Sequence, residues 1–486
     1  MSSGLNFFTN EIDKTPVTLS ENYTTGDDGD RSIYGVYWSA QTFTPGTTHT
    51  VTILRLKLLR VEGSPGTVTV SIRATNGSGH PTGSDLASGT YNGNSIPLSA
   101  TWIVITLGAG YSLSAGTKYA IVVRATAGNS LNSIAWREDS TSATYTGGNG
   151  ENSSDSGASW VSEATWDFMF EEYSGAIGAW ADVNVLGNGV PAGATGVILR
   201  LHNTDAAAQN LAVRKNGSTD TRTPQIGTAR HTGAMVGIDA NRIFETYIGS
   251  PLAKVYLIGY TTDSTDFLTN SRNKTPAIAG SYQTVSDTDG DIPAGATGVI
   301  VEFGASAAAQ AGGVRAPGST DDFYARHDSG LHFYQVCGVN ADGQYEAMVA
   351  HATDTQMWLI GYFMTPVTFE TNAISKALAI AGSWQTITYS EAPADADGAL
   401  LMIAGDVANN HYDGGVRKPT STDSSFGEIR GTTTPAVRTA YSFFSGMNAS
   451  RQAEGYVENL AVDHYVSGYA KPAAAAGAGL TWAIWI

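Results

Sequence analysis

Pro191-Ala192-Gly193-Ala194-Thr195-Gly196-Val197-Ile198-Leu199-Arg200-Leu201 reads as a turn that runs directly into a strand. The same text returns as Pro293-Ala294-Gly295-Ala296-Thr297-Gly298-Val299-Ile300-Val301-Glu302-Phe303. A looser copy is Pro393-Ala394-Asp395-Ala396-Asp397-Gly398-Ala399-Leu400-Leu401-Met402-Ile403. Proline and glycine punctuate the turn, and the short apolar run behind it has the length of a buried strand.

Working outward, each copy sits between the same landmarks. Upstream stand Trp180, Tyr282 and Trp384, each 102 residues after the one before. Downstream come Val213-Arg214-Lys215-Asn216-Gly217-Ser218-Thr219-Asp220, Val314-Arg315-Ala316-Pro317-Gly318-Ser319-Thr320-Asp321 and Val416-Arg417-Lys418-Pro419-Thr420-Ser421-Thr422-Asp423. Tyr256-Leu257-Ile258-Gly259-Tyr260 and Trp358-Leu359-Ile360-Gly361-Tyr362 close the first two copies, and Tyr465-Val466-Ser467-Gly468-Tyr469 the third. Landmarks in constant order argue for duplication of a folding unit. The expected units are 174–262, 276–364 and 378–470, each long enough for a small β-sandwich with its own core. Thr261 to Thr275 and Met364 to Ser375 read either as linkers or as edge strands whose backbone bonds tie neighbouring units together.

The preceding region has a different pattern. Val51-Thr52-Ile53-Leu54-Arg55-Leu56-Lys57-Leu58 reads as a strand, and Val68-Thr69-Val70-Ser71-Ile72-Arg73 alternates with period two, which sends Val68, Val70 and Ile72 to one face. Trp102 to Leu107 and Tyr119 to Val123 supply further strands between Gly/Asn/Ser turns. Residues 1–173 are therefore expected to form an N-terminal sandwich. Gly89-Thr90-Tyr91-Asn92-Gly93, Tyr119-Ala120-Ile121-Val122-Val123-Arg124 and Gly157-Ala158-Ser159-Trp160 resemble the non-catalytic jelly-roll modules of phage structural proteins and bacterial surface proteins. The resemblance spans roughly residues 10 to 172 and implies a jelly-roll fold used for attachment. The whole chain is thus expected to be all-β: a jelly-roll-like sandwich, three tandem related β-sandwich domains, and a C-terminal extension or terminal strand over 471–486.

Composition narrows the function. With 486 residues and 42% hydrophobic residues, the chain has material for several cores. A net charge of −17 disfavours direct nucleic-acid binding, because phosphate backbones repel it. Cys337 is the sole cysteine, so no intrachain disulfide framework exists, and it is read as a small buried hydrophobe. No stretch is apolar enough to cross a bilayer, so membrane insertion is not expected, and residues 1–8 lack the pattern of a secretory signal.

Several side chains merit placement. Arg214, Arg315 and Arg417, each ahead of a Ser-Thr-Asp turn, are expected to clamp Asp220, Asp321 and Asp423; contact with carboxylates or sugars is the functional alternative. Asp27, Asp28 and Asp30, and likewise Asp287, Asp289 and Asp291, are weak candidates to wrap Ca²⁺, with ordinary acidic turns favoured; no other cofactor is called for. Trp136, Trp160 and Trp166 are candidate glycan or subunit contacts, with core packing as the plainer reading. His327 and His332 form no tight metal motif. The adjacent acids Glu171-Glu172 and Asp321-Asp322 do not provide two separated carboxylates facing one bond, and no nucleophile elbow, phosphate loop or zincin motif is present. No catalytic residue is assigned. The expectation is a non-enzymatic, virion-associated structural protein, a capsid decoration, fibre or tail component, that associates with itself and with other virion proteins. The alternative is an extracellular or cell-surface protein that binds glycans.

Overall fold

The computed structural model describes residues 4–307, 310–327, 332–405, 411–424, 427–430 and 438–471. The expected terminal strand within 471–486 lies, apart from Lys471, outside the described residues. Among those described, every regular element is a strand except one 3-10 turn at Gly93–Ser95, whose Asn92 side chain accepts from the Asn94 amide. The protein is all-β, with several antiparallel sheets packed in sandwich fashion.

The chain divides into two compact units. One is Pro16–Ile177; the other joins the described residues before Pro16 to those after Ile177. This differs from the expected boundary, in which residues 1–173 formed one body. Leu5–Asp13 pairs antiparallel with Ala253–Thr261, and Leu5 is buried beside Ile198, Met235 and Leu400. An apolar strand belongs where its apolar face is covered, and here that is in the second unit.

Within Pro16–Ile177, a six-stranded sheet runs Val161–Glu163, Gly150–Ser153, Trp38–Phe43, Tyr119–Arg124, Thr67–Thr75, Pro81–Asn92. A seven-stranded sheet is built around His49–Val61, which pairs with Thr101–Leu113, Ser133–Asp139 and Phe170–Gly175. Val68, Val70 and Ile72 share one core with Leu54, Leu56, Phe43 and Trp136, as their two-residue period requires. The unit's first and last strands lie side by side, with Val17 opposite Gly175, so both chain ends leave it together.

In the second unit the same strand order occurs three times. Leu5–Asp13, Ala253–Thr261, Gly196–Asn203 and His231–Gly237 form one run. Thr265–Asn273, Thr355–Met364, Ala296–Ala305 and His332–Gly338 form the next, and Thr368–Ser375, Val462–Ala470, Gly398–Gly405 and Arg438–Gly446 the third. Each has a second, smaller run beside it, beginning at Trp180–Asn184, Gln283–Val285 and Gln385–Thr388. The stretches expected either as linkers or as edge strands, 261–275 and 364–375, contain the leading edge strands Thr265–Asn273 and Thr368–Ser375.

The expected separate cores are joined. Ile198, Ile300 and Leu400, the same position of the quoted motif in each copy, meet in one apolar cluster with Met235, Val336, Phe444 and Phe267, against which Phe7 and Phe369 pack. A sheet also crosses from one run to the next, because Phe323–His327 pairs in parallel with Arg438–Gly446. Units of this size have too little interior to bury two apolar faces alone, and sharing a core covers the second face.

Candidate functional site

Each leading strand carries the text Phe-x-Thr-Asn, as Phe7-Phe8-Thr9-Asn10, Phe267-Leu268-Thr269-Asn270 and Phe369-Glu370-Thr371-Asn372. Each pairs its Phe with the glycine of a closing strand: Phe7 with Gly259, Phe267 with Gly361, Phe369 with Gly468. A side chain on those glycines would collide with the strand passing over; a Cβ on Gly259 would stand 2.2 Å from the Asn6 carbonyl oxygen. Beyond the Phe the register jumps. From Phe7↔Gly259 it resumes at Ile12↔Leu257, and the jumps at Phe267/Arg272 and Phe369/Ile374 are alike. The bulged residues leave their own sheet, which frees the Asn and the amide after it to reach a neighbouring run.

What they reach is the Ser-Thr-Asp turn. Asn270 Oδ1 accepts from the Thr219 amide at 2.7 Å and the Ser218 hydroxyl at 3.0 Å, while Asp220 accepts from the Ser271 amide at 2.9 Å. Asn372 Oδ1 accepts from the Thr320 amide at 2.8 Å and the Ser319 hydroxyl at 2.9 Å, and Asp321 from the Ala373 amide at 2.6 Å. Asn10 Oδ1 accepts from the Thr422 amide at 3.0 Å, and Asp423 from the Glu11 amide at 2.8 Å. These contacts link the first run to the second, the second to the third, and the third back to residues 5–13. The phenylalanines complete the joint: Cβ atoms built on Gly196, Gly298 and Gly398 would fall 2.3, 2.2 and 2.6 Å from the rings of Phe267, Phe369 and Phe7. Lys215 and Lys418 donate to the carbonyls of Phe267 and Phe7 at 2.9 and 3.1 Å.

The arginines set the turns from below. Arg214 donates to Glu245 at 2.8 Å and to the Asp220 carbonyl, with its guanidinium 4.1 Å from the centre of the Trp180 ring. Arg315 donates to Glu346 at 2.6 Å and to the Asp321 carbonyl at 2.7 Å over Tyr282, and Arg417 to Glu454 at 2.6 Å and to the Asp423 carbonyl over Trp384. The expected Arg–Asp pairing therefore needs correction. Arginine takes the aspartate's main-chain carbonyl and ion-pairs with a glutamate, leaving the aspartate carboxylate for the adjacent strand. The recurrent aromatic is the platform on which the guanidinium lies.

Five of the six aspartates in the two acidic loops pair with protein cations. Asp287, Asp289 and Asp291 surround the Lys274 ammonium at 3.1, 3.0 and 3.2 Å. Burial works against that charge, but the carboxylate bonds prevail and raise the lysine's pKa. Asp27 is held by Lys57 and Arg137, Asp30 by Arg137 at 3.3 Å, and Asp28 by the Ser140 amide at 2.7 Å and by Thr141. Among the described residues no group of three or more His, Cys, Asp or Glu side chains is arranged to hold a metal ion.

The three tryptophans separate by environment. Trp136 is 0% exposed, stacks on Phe168 at 4.5 Å and donates to the Met169 carbonyl at 2.9 Å, which removes it as a glycan contact. Trp160 packs with Trp38 over Ala40, Ala120 and Val122. Trp166 lies under the Arg31 guanidinium at 3.7 Å. Beside them the Pro16–Ile177 unit has a cleft of about 300 Å³ lined by Arg31, Tyr37, Trp38, Asn152, Ser159 and Glu163. Tyr37 is 46% exposed, and the enclosed amide nitrogen of Asn152 has no hydrogen-bond partner. Neither Tyr37 nor Asn152 stood out in the sequence: Tyr37 sits in a tight turn against Tyr34, and Asn152 is brought to the cleft by pairing opposite the distant Ser39. The Phe-x-Thr-Asn text was there to be found, but its first copy is displaced from the other two by the Pro16–Ile177 unit.

No protein-family model matches this chain, and no curated protein matches it.

Proposed function

We propose that the chain is a non-catalytic structural component of a virion surface, a capsid decoration, fibre or tail-associated protein. In this reading three tandem related β-sandwich domains, each taking its leading strand from 5–13, 265–273 or 368–375, form a rigid base. A jelly-roll-like sandwich, Pro16–Ile177, is inserted in the first of them and serves attachment. The single observation that carries the reading is the joint of Phe, Asn and Asp, repeated at all three junctions and returning from the third domain to the first. Such a cycle leaves none of the three junctions open and resists deformation, which suits a protein that bears load or covers a surface. Imaging of native particles with labelled antibody against this chain tests it. Ordered copies at fixed positions are expected; particles free of the protein, made by cells that express it, count against the reading.

A second reading is favoured by the cleft beside Tyr37. Aromatic faces next to hydroxyl and amide groups suit a neutral saccharide, whose ring has both an apolar face and hydroxyl edges. Glycan-array binding reduced at least tenfold by Tyr37→Ala, with unchanged circular dichroism, is the expected result of this reading. An array without signal for the wild-type chain removes it.

A further inference from the structure

Two of the three junctions join segments much closer in sequence: Thr219 and Asn270 are 51 residues apart, and Thr320 and Asn372 are 52. The third joins segments that are far apart. Phe7 and Lys418 are 411 residues from one another, and Asn10 and Thr422 are 412. Residues 5–13 lie in a slot with two walls. One is the main-chain edge of Ala253–Thr261, met in the register Leu5↔Thr261, Phe7↔Gly259, Ile12↔Leu257. The other is Gly398, Gly446, Lys418 and the turn at Thr422-Asp423.

This slot also reads its occupant's sequence. Arg200, 7% exposed, grips Glu11 with two bonds, at 2.8 and 2.5 Å. The corresponding residues of the other two leading strands are Ser271 and Ala373, and the residues corresponding to Arg200 are Glu302 and Met402. An internal strand moved into the slot would leave a buried guanidinium without its carboxylate, a strong penalty against the wrong strand.

We propose that this slot is an exchangeable strand-binding site whose ligand is an extended segment reading Phe-x-Thr-Asn-Glu, filled by residues 5–13 of the same chain or by those of a second copy. The inference rests on the three-domain reading. A second copy's strand makes every contact the chain's own strand makes, namely backbone pairing with Ala253–Thr261, the Phe in its glycine cradle, Asn on the turn and Glu on Arg200. What favours the chain's own strand is its high effective concentration, so dilute protein closes on itself and concentrated refolding yields strand-exchanged pairs.

The test refolds a mixture of two differently tagged full-length chains across a concentration series. Tags that co-purify increasingly with concentration are expected, and a Phe7→Ser, Glu11→Arg double variant of both chains should reduce that co-purification at least tenfold. A second measurement adds a synthetic peptide of residues 4–15 to the full-length double-variant chain: a rise in its melting temperature is expected, and the same peptide with Glu11→Arg should bind at least tenfold more weakly. Tags that never co-purify overturn exchange with a second copy. A peptide that gives no rise, or that binds equally with and without Glu11, overturns the slot. Asn270→Ala, at an internal junction outside the slot, reports on the three-domain reading alone, so loss of stability there with no strand exchange separates the two failures.

Discussion

Asn372 holds the turn Ser319-Thr320-Asp321 through one side-chain oxygen, and that oxygen belongs to a strand of the next run. Replacing it by alanine leaves the Thr320 amide to water and takes the acceptor from the buried Ser319 hydroxyl. Because the Asn is solvent-exposed, Asn372→Ala is expected to cost about 1 kcal/mol in a denaturant titration. A second residue-scale effect concerns acidity. Burial pushes the Glu172 carboxyl up to about 7, against the pull of His49, whose Nε2 lies 2.8 Å away. Its folded pKa thus lies above the ordinary carboxylate value near 4.3, so its contribution to stability is full below that value and is lost as pH rises through about 7. Asp167, raised to about 6 chiefly by burial, acts in the same direction. The Pro16–Ile177 unit should therefore melt at lower temperature at pH 8 than at pH 5, and Glu172→Gln should flatten the slope, as thermal melts across that range will read.

At the scale of the element, the leading strands show why a period-two reading succeeds and where it stops. Alternation predicted Val68, Val70 and Ile72 on one buried face, and they are there. No alternation rule predicts that a strand pairs as far as Phe7, bulges, and resumes at Ile12, because the bulge is set by the turn it must reach on another run. The glycine cradle is the element's lock. A methyl group at Gly398 would lie 2.6 Å from Phe7 Cε2, so Gly398→Ala is expected to destabilise by about 1–3 kcal/mol. Combined with Phe7→Ala the two losses should add to less than their sum, since the second change removes the atoms the first collides with. Equilibrium unfolding of the two single variants and the double variant checks this cycle; strict additivity would contradict the contact.

For the whole molecule, the placement of Pro16–Ile177 is the consequential feature. Its entering and leaving strands are paired at Val17 and Gly175, as befits a body inserted into a loop. The corresponding loops of the other two runs are short, and Gly178, Gly280 and Gly382 take the same left-handed conformation, with φ of 74°, 83° and 75°, just ahead of Trp180, Tyr282 and Trp384. Replacing residues 16–177 with the short loop 276–279 should accordingly leave a folded all-β protein with a single cooperative transition, whereas the full chain is expected to show an additional one. Calorimetry of both chains measures this, and collapse of the shortened chain would show that the remaining strands depend on the inserted unit.

The amino-acid sequence by itself determined the all-β character, the strand patterns, and the three recurrences of aromatic, turn, Val-Arg and Ser-Thr-Asp, because these follow from local periodicity and turn chemistry. It carried the Phe-x-Thr-Asn text as well, but not the meaning of that text, since the turn capped by Asn10 is 412 residues away. Which cation neutralises Asp287, Asp289 and Asp291, which acid pairs with Arg214, and why Trp136 is closed to any ligand were decided only by tertiary structure. In each case the deciding partner comes from another segment of the chain, and such pairing, unlike periodicity, leaves no trace in the neighbouring residues.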